Sequence, residues 1–154
     1  QGHIYLVAIM DWHSRYVIDW ELSISLEAEF CVDTLNRTLD SSVCGIFNTD
    51  QGAQYTSNAW INALLNKGVS ISMDAKGRCF DNIFIERLWR SVKYECIYLK
   101  EFEYVAEVKE ALIDYFDYYN NDRPHQSLGY KTPADVYFGR VKIDNVFDNL
   151  TSIF

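Results

Sequence analysis

No apolar run in these 154 residues approaches the roughly 20 needed to cross a bilayer. The longest, Ile4 to Met10, has the length of a strand. No basic stretch followed by an apolar core and a small-residue cleavage site opens the chain, so no secretory signal is legible. Together these absences give the expectation of a soluble, cytoplasmic protein. Cysteine is sparse and unpaired in sequence: Cys31, Cys44, Cys79 and Cys96 form no C-x-x-C, and no histidine stands at zinc-finger spacing. A structural zinc site is therefore not expected, and reduced, buried thiols are. Internal repeats, low-complexity tracts and inter-domain linkers are also missing. The first residue is Gln1 rather than Met, as in a piece of a longer chain. With 49% apolar and 23% charged residues, the composition is that of one globular domain, not of a disordered segment.

Basic charge is short as well, 14 Lys and Arg against 22 Asp and Glu, for a net charge of −8. Spread evenly, that balance would oppose a nucleic-acid partner. It is uneven: residues 74–100 carry a net +2, with Lys76, Arg78, Arg87, Arg90, Lys93 and Lys100 together. An acidic body with one basic face is consistent with these numbers.

The patterning alternates strands and helices. Ile4 to Met10 and Tyr16 to Leu22 predict a hairpin around the polar turn Asp11 to Arg15. A helix is predicted from a Ser25 cap to about Leu39, with Leu26, Phe30, Leu35 and Leu39 inward. Gly45 to Thr49 reads as a short strand ending at Asp50. Ser57 or Asn58 caps a helix to Asn66, closed by Gly68, and Val69 to Ile71 is a further short strand. Loop is expected at Asp74 to Gly77. A long helix from Asp81 to about Leu99 follows, with Ile85, Leu88, Val92 and Leu99 core-facing. The last helix carries Phe102, Val105, Val108, Leu112, Phe116 and Tyr119, and ends by Pro124. This order predicts an α/β fold, a mixed sheet flanked by helices, over residues 1–140. Residues 141–154 read as a weakly patterned tail.

Two carboxylates are placed for chemistry. Asp50 stands at the carboxyl end of a strand, where open α/β sheets hold their sites. Glu86 is early on the long helix, with Arg90 and Lys93 at i+4 and i+7 on the same side. One acid flanked by two bases suits a metal ligand next to phosphate contacts. The bland alternative is a solvated Glu–Arg pair.

Asn48-Thr49-Asp50-Gln51-Gly52-Ala53-Gln54-Tyr55-Thr56-Ser57 resembles the second-aspartate motif of DDE transposases and retroviral integrases. Lys76-Gly77, Asp81-Asn82, Glu86, Trp89 and Lys93 resemble its third block, and 35 residues separate Asp50 from Glu86, as in the D-D-35-E pattern. Tyr119-Asn120-Asn121-Asp122-Arg123-Pro124-His125-Gln126-Ser127-Leu128-Gly129-Tyr130, then Thr132-Pro133-Ala134, resembles the closing motif of OrfB-type transposases of bacterial insertion sequences. The resemblance implies an RNase H-like fold and metal-dependent DNA cleavage and 3′-hydroxyl strand transfer, using two Mg²⁺ (or Mn²⁺) ions. It assigns Asp50 and Glu86 as catalytic carboxylates and metal ligands, and Lys93 and Arg90 as contacts to DNA phosphates. It also implies insertion-sequence ends and target DNA as partners, a homo-oligomer in the synaptic complex, no membrane, and a bacterial cytoplasm. His125 is read as packing the last helix, without a catalytic role.

The resemblance places the first aspartate on a strand preceding Gln1-Gly2, so the first strand and the first carboxylate are expected to be missing from this segment. Asp11 also ends a strand, but an aspartate in an Asp-x-x-Ser-Arg turn is expected to accept bonds from its own turn. With two carboxylates of three, the segment is expected to be nearly inactive by itself. A non-catalytic relic that binds DNA or an intact transposase is the main alternative. An RNase H-like hydrolase of RNA–DNA hybrids is a poorer one, because residues 119–130 point to transposases.

Overall fold

The computed structural model describes residues 2–50, 52–73 and 83–140, and the backbone of Ser152–Ile153. Strand β1 (Tyr5–Met10) pairs antiparallel with β2 (Val17–Ser23), with a register shift between Ile9 and Met10. Helix α1 (Ala28–Ser41) follows, then β3 (Ile46–Thr49), α2 (Asn58–Asn66) and β4 (Ser70–Met73). Strands β3 and β4 are parallel, joined by α2 as the crossover. Helices α3 (Ile83–Glu95), α4 (Val105–Asn121) and the short α5 (Pro133–Tyr137) complete the helical part. Strand β5 (Ser152–Ile153) pairs parallel with Ile46–Phe47 of β3.

Side chains alternate across β1, and the two faces feed two cores. Ala8 and Met10 join Val17 of β2, Leu88 and Val92 of α3, and Leu112 and Phe116 of α4. Val7 and Ile9 join Leu35 of α1, Phe47 of β3, and Trp60 and Leu64 of α2. Residues 7–10 are buried on both faces, which explains their uninterrupted apolar run. Asn120 of α4 locks the first core: its Oδ1 accepts from Val17 N at 2.9 Å and its Nδ2 donates to Val17 O at 2.9 Å. Glu95 at the end of α3 accepts from Arg123 Nε and Nη2 at 2.8 and 2.6 Å, and from the Tyr115 hydroxyl at 2.8 Å. The Arg123 guanidinium holds the Glu95 carboxyl below the usual carboxylate range.

Several expectations from sequence need correction. The strands do not form one continuous sheet: among the described residues β1–β2 and β4–β3–β5 are separate ladders. The tail contributes a strand, β5, although residues 141–151 lie outside the described residues. Helix α1 starts later than Ser25, whose N–H is taken by the Ser23 hydroxyl instead. Leu26 is then outside the helix and exposed. Helix α3 ends at Glu95 and a 3₁₀ turn, Ile97–Leu99, swings Leu99 out to 70% exposure. Val105 is exposed too, at the start of α4, where Glu107 accepts from the Glu103 and Tyr104 N–H groups. Ser57 does cap α2, accepting from Trp60 N at 3.3 Å, and Cys31, Cys44 and Cys96 are buried as thiols. Cys79, the loop at 74–77 and the Asp81 helix start fall outside the described residues. No helix among the described residues is long and apolar enough to cross a membrane.

Candidate active site

Strand β3 delivers Asp50 to solvent. Phe47, Asn48 and Thr49 are buried, and the strand ends where the carboxylate emerges. Asn48 Nδ2 donates to Ser72 Oγ at 3.1 Å, tying that end to β4. The Asp50 carboxylate then folds back on its own turn, its Oδ1 accepting from Gly52 N at 2.7 Å. A Cβ on Gly52 would stand 2.9 Å from that same Oδ1 and from Gln54 Nε2, so a side chain there would displace the carboxylate or Gln54. In the sequence Gly52 stands inside the motif that carries the resemblance, two residues after the strand-ending aspartate. Beyond it, a 3₁₀ turn (Ala53–Tyr55) lays Tyr55 edge-on against Trp60, which also packs on Phe47. Burial pushes the Tyr55 hydroxyl up to about 12, so it remains protonated at neutral pH.

A small cleft of about 70 Å³ opens between β1 and β3, bounded by Asp50 and by Ile85 and Trp89 of α3. The first turn of α3, which carries Glu86, is thereby set beside the end of β3. Glu86, Arg90 and Lys93 are all exposed, and none is in an ion pair among the described residues. The solvated Glu86–Arg90 pair that helix spacing alone would suggest is not formed. Arg90 instead lies 5.8 Å from the Tyr94 ring. Lys93 borders a separate, largely apolar groove with Trp89 and Tyr98.

Asp11 does not join this cleft. It is only 4% exposed, and its Oδ2 accepts from Ser14 N at 2.9 Å and from the Ser14 hydroxyl. Among the described residues no three His, Cys, Asp or Glu side chains converge as a metal site. On the cleft wall, Asn48 Oδ1 and Thr49 Oγ1 are buried and have no hydrogen-bond partner among the described residues. Asp50 and Glu86 are exposed oxygen donors, the type that hard divalent cations take. The His125 ring packs edge-on to Tyr119 at 4.8 Å, and burial, then Arg123, push its pKa down to about 4.

This arrangement has relatives. Two integrase core domain families match the chain, one over residues 1–79 and one over residues 67–133. The chain belongs to the integrase core family. It is 34% identical over 144 residues to the transposase for insertion sequence element IS904 of Lactococcus lactis, covering 88% of this chain and 55% of that one. It is 30% identical over 151 residues to the transposase for insertion sequence element IS629 of Shigella sonnei, covering 95% and 51%. The chain thus spans about half the length of the curated relatives it matches. A solved simian T-cell lymphotropic virus intasome in complex with PP2A regulatory subunit B56 gamma superposes with a TM-score of 0.72 at 16% identity. That match covers 97% of this chain and 58% of the other. The fold is accordingly the RNase H-like α/β fold that the sequence motifs imply.

Proposed function

We propose that this chain forms part of the catalytic core of a DNA transposase, working by metal-dependent strand cleavage and 3′-hydroxyl strand transfer. The observation that carries the reading is the juxtaposition of Asp50, at the end of β3, with the first turn of α3 that bears Glu86. Asp50 and Glu86 would hold divalent ions, Mg²⁺ or Mn²⁺. When bound, such ions activate an attacking hydroxyl and stabilise the leaving 3′-oxygen. Asp50 contributes a carboxylate pinned by Gly52 N, so it is oriented before any ligand arrives. Arg90 and Lys93, following Glu86 at i+4 and i+7, place positive charge beside it for the flanking phosphates of insertion-sequence ends or target DNA. Assembly of several copies on paired DNA ends is part of the proposal, as is residence in the bacterial cytoplasm.

Two carboxylates are one short of the family's set. We place the third on a strand entering beside the Asn48–Thr49 end of β3, where the cleft toward β1 holds two unpartnered polar atoms. The isolated chain is then expected to bind DNA and cleave it poorly. The same observation favours, as a second reading, a DNA-binding relic without catalysis. Binding of Mn²⁺, followed by paramagnetic resonance, tests the first reading without requiring turnover. Asp50→Asn and Glu86→Gln should each weaken ion binding by about tenfold or more, about 1.4 kcal/mol. Wild-type affinity in both variants would leave the carboxylates without a metal role and favour the second reading.

A further inference from the structure

The face of α3 turned away from Asp50 borders a second, larger cavity of about 760 Å³. Four arginines line it: Arg15 from the β1–β2 turn, Arg87 and Arg90 from α3, and Arg123 from the segment after α4. No carboxylate is among its described lining residues. Only Arg123 has an ion-pair partner among the described residues, Glu95. Guanidinium groups gathered with few counter-charges repel one another: burial chiefly lowers the Arg15 pKa, and Arg87 lowers it further, while Asp11 beneath the turn opposes them. A fold keeps such a group of charges at a cost in stability, which an anionic ligand offsets.

Backbone strain falls at the same place. Arg15 and Tyr130 are the two non-glycine residues with positive φ among the described residues, both at 64°, and both line this cavity. The left-handed region costs an L-residue roughly 1–2 kcal/mol. At Arg15 the cost holds the guanidinium 3.6 Å above the Phe84 ring. Tyr130 follows Gly129, itself left-handed at 62°, and its N–H donates to His125 O at 2.8 Å. The turn leaves the Tyr130 ring exposed at the cavity rim. On the cavity wall, His125 is 8% exposed and its Nε2 has no hydrogen-bond partner among the described residues. With the other ring nitrogen directed to the Tyr119 backbone, Nε2 is the acceptor nitrogen, closed off behind the cavity wall.

Arginine forks suit phosphodiester oxygens, and an exposed aromatic ring suits a base face. We infer that this arginine-lined cavity binds one nucleotide of a DNA strand, its phosphate on Arg15 and Arg87, continuing the strand past the carboxylates. The inference rests on the reading of this chain as a DNA-handling core. Helix geometry connects the two sites: at about 100° per residue, Arg90 lies about 40° and Arg87 about 100° around α3 from Glu86. Arg90 stands between them, so a strand leaving Asp50 and Glu86 meets it before entering the cavity.

Fluorescence anisotropy of the whole chain with labelled single-stranded and duplex oligonucleotides, in chelator and over a salt series, tests this. Arg87→Ala, at an exposed helix position, should lose about tenfold in affinity, and the duplex salt slope should fall by about 0.9. Arg15→Ala should do the same, with circular dichroism verifying its fold. Arg37→Ala, on α1, should bind as wild type. Unchanged affinity and slope in Arg87→Ala, with wild type binding DNA, would overturn the cavity assignment and leave the DNA reading standing. Failure of wild type to bind either oligonucleotide would overturn both. A mononucleotide competing as well as an oligonucleotide would make this an isolated nucleotide pocket and overturn the strand path.

Discussion

On one side of α3, Asp50 and Glu86 stand exposed, and Asp50 is oriented by a bond reaching two residues along its own turn. On the other side, Arg15, Arg123 and His125 meet only because α4 docks on the hairpin, through Asn120 and Val17, 103 residues apart in sequence. The first site is assembled by local turns at element ends. The second is assembled by tertiary packing. They should therefore respond differently to damage: loss of α4 docking should disperse the arginines before it disturbs the turn at Asp50. Glycine at position 52 keeps a side chain off the Asp50 carboxylate, whereas the non-local site is held by packing and the Glu95–Arg123 pair against the strain at Arg15 and Tyr130.

The harshest test removes what both sites share. Leu88 of α3 is 1% exposed and packs between β1, β2 and α4. Leu88→Ala should cost about 3 kcal/mol, within the range for buried leucines, and should weaken both metal and DNA binding. Urea unfolding gives the first quantity. A cost below about 1 kcal/mol would mean that α3 does not depend on this core.

Asn120→Ala is the variant that separates the sites. It strands the N–H and C=O of Val17 in a buried setting, at about 2 kcal/mol for the lost bonds and desolvated groups. Oligonucleotide binding in chelator should fall with α4 docking, while Mn²⁺ binding at Asp50 persists under conditions where the chain stays folded. Equal losses at both sites would show that the contrast between local and non-local assembly is wrong.

That contrast also explains what could be read from sequence. The positions of Asp50 and Glu86 were legible because each depends on a local signal, a strand end and a helix register, and a resemblance supplied their interval. Most strands and helices were legible for the same reason: the apolar run over residues 7–10 and the Ser57 cap need no tertiary knowledge. What was missed either competes locally with the helix pattern or depends on distant partners. The Ser23 hydroxyl takes the Ser25 N–H and delays α1, and the 3₁₀ turn after Glu95 exposes Leu99. Asn120 carries no periodic signal for a bond to β2. Residues 123–125 were visible as a motif, yet nothing in the motif says that Arg123 and His125 face Arg15. The split into two ladders was hidden too, since a continuous apolar run reads alike with or without a strand on each side.

Acid should unmake the non-local site first. His125 has a folded-state pKa of about 4 against an ordinary 6.5, held down by burial and then by Arg123. The unfolded chain therefore binds the proton more readily, and stability falls as pH drops through the window from 6.5 to about 4, by an amount on the order of 1 kcal/mol. Below that window the contribution is already lost and the slope flattens. Glu95 adds acid sensitivity at lower pH: its depressed pKa gives stability that is present above the ordinary carboxylate range and lost as pH falls through the folded value. Thermal unfolding across this range should show the His125 part vanish in His125→Asn. An unchanged pH profile in that variant would assign the acid sensitivity elsewhere.

The smallest effect belongs to a charge that serves neither site. Arg37 of α1 bridges Asp19 at 2.9 Å and Glu21 at 3.4 Å on β2, with about half of its side chain exposed. Exposed pairs of this kind contribute roughly 0–1 kcal/mol, because solvent screening and side-chain ordering offset the attraction. Arg37→Ala should shift the urea midpoint only slightly and leave Mn²⁺ and oligonucleotide binding unchanged. Its value is as a measure of charge without position: it removes one positive charge, as Arg87→Ala does, from the same net −8. If the two variants weakened DNA binding equally, overall charge would account for the affinity. If only Arg87→Ala does, the affinity belongs to the cavity beside α3, and the two faces of that helix are two parts of one DNA path.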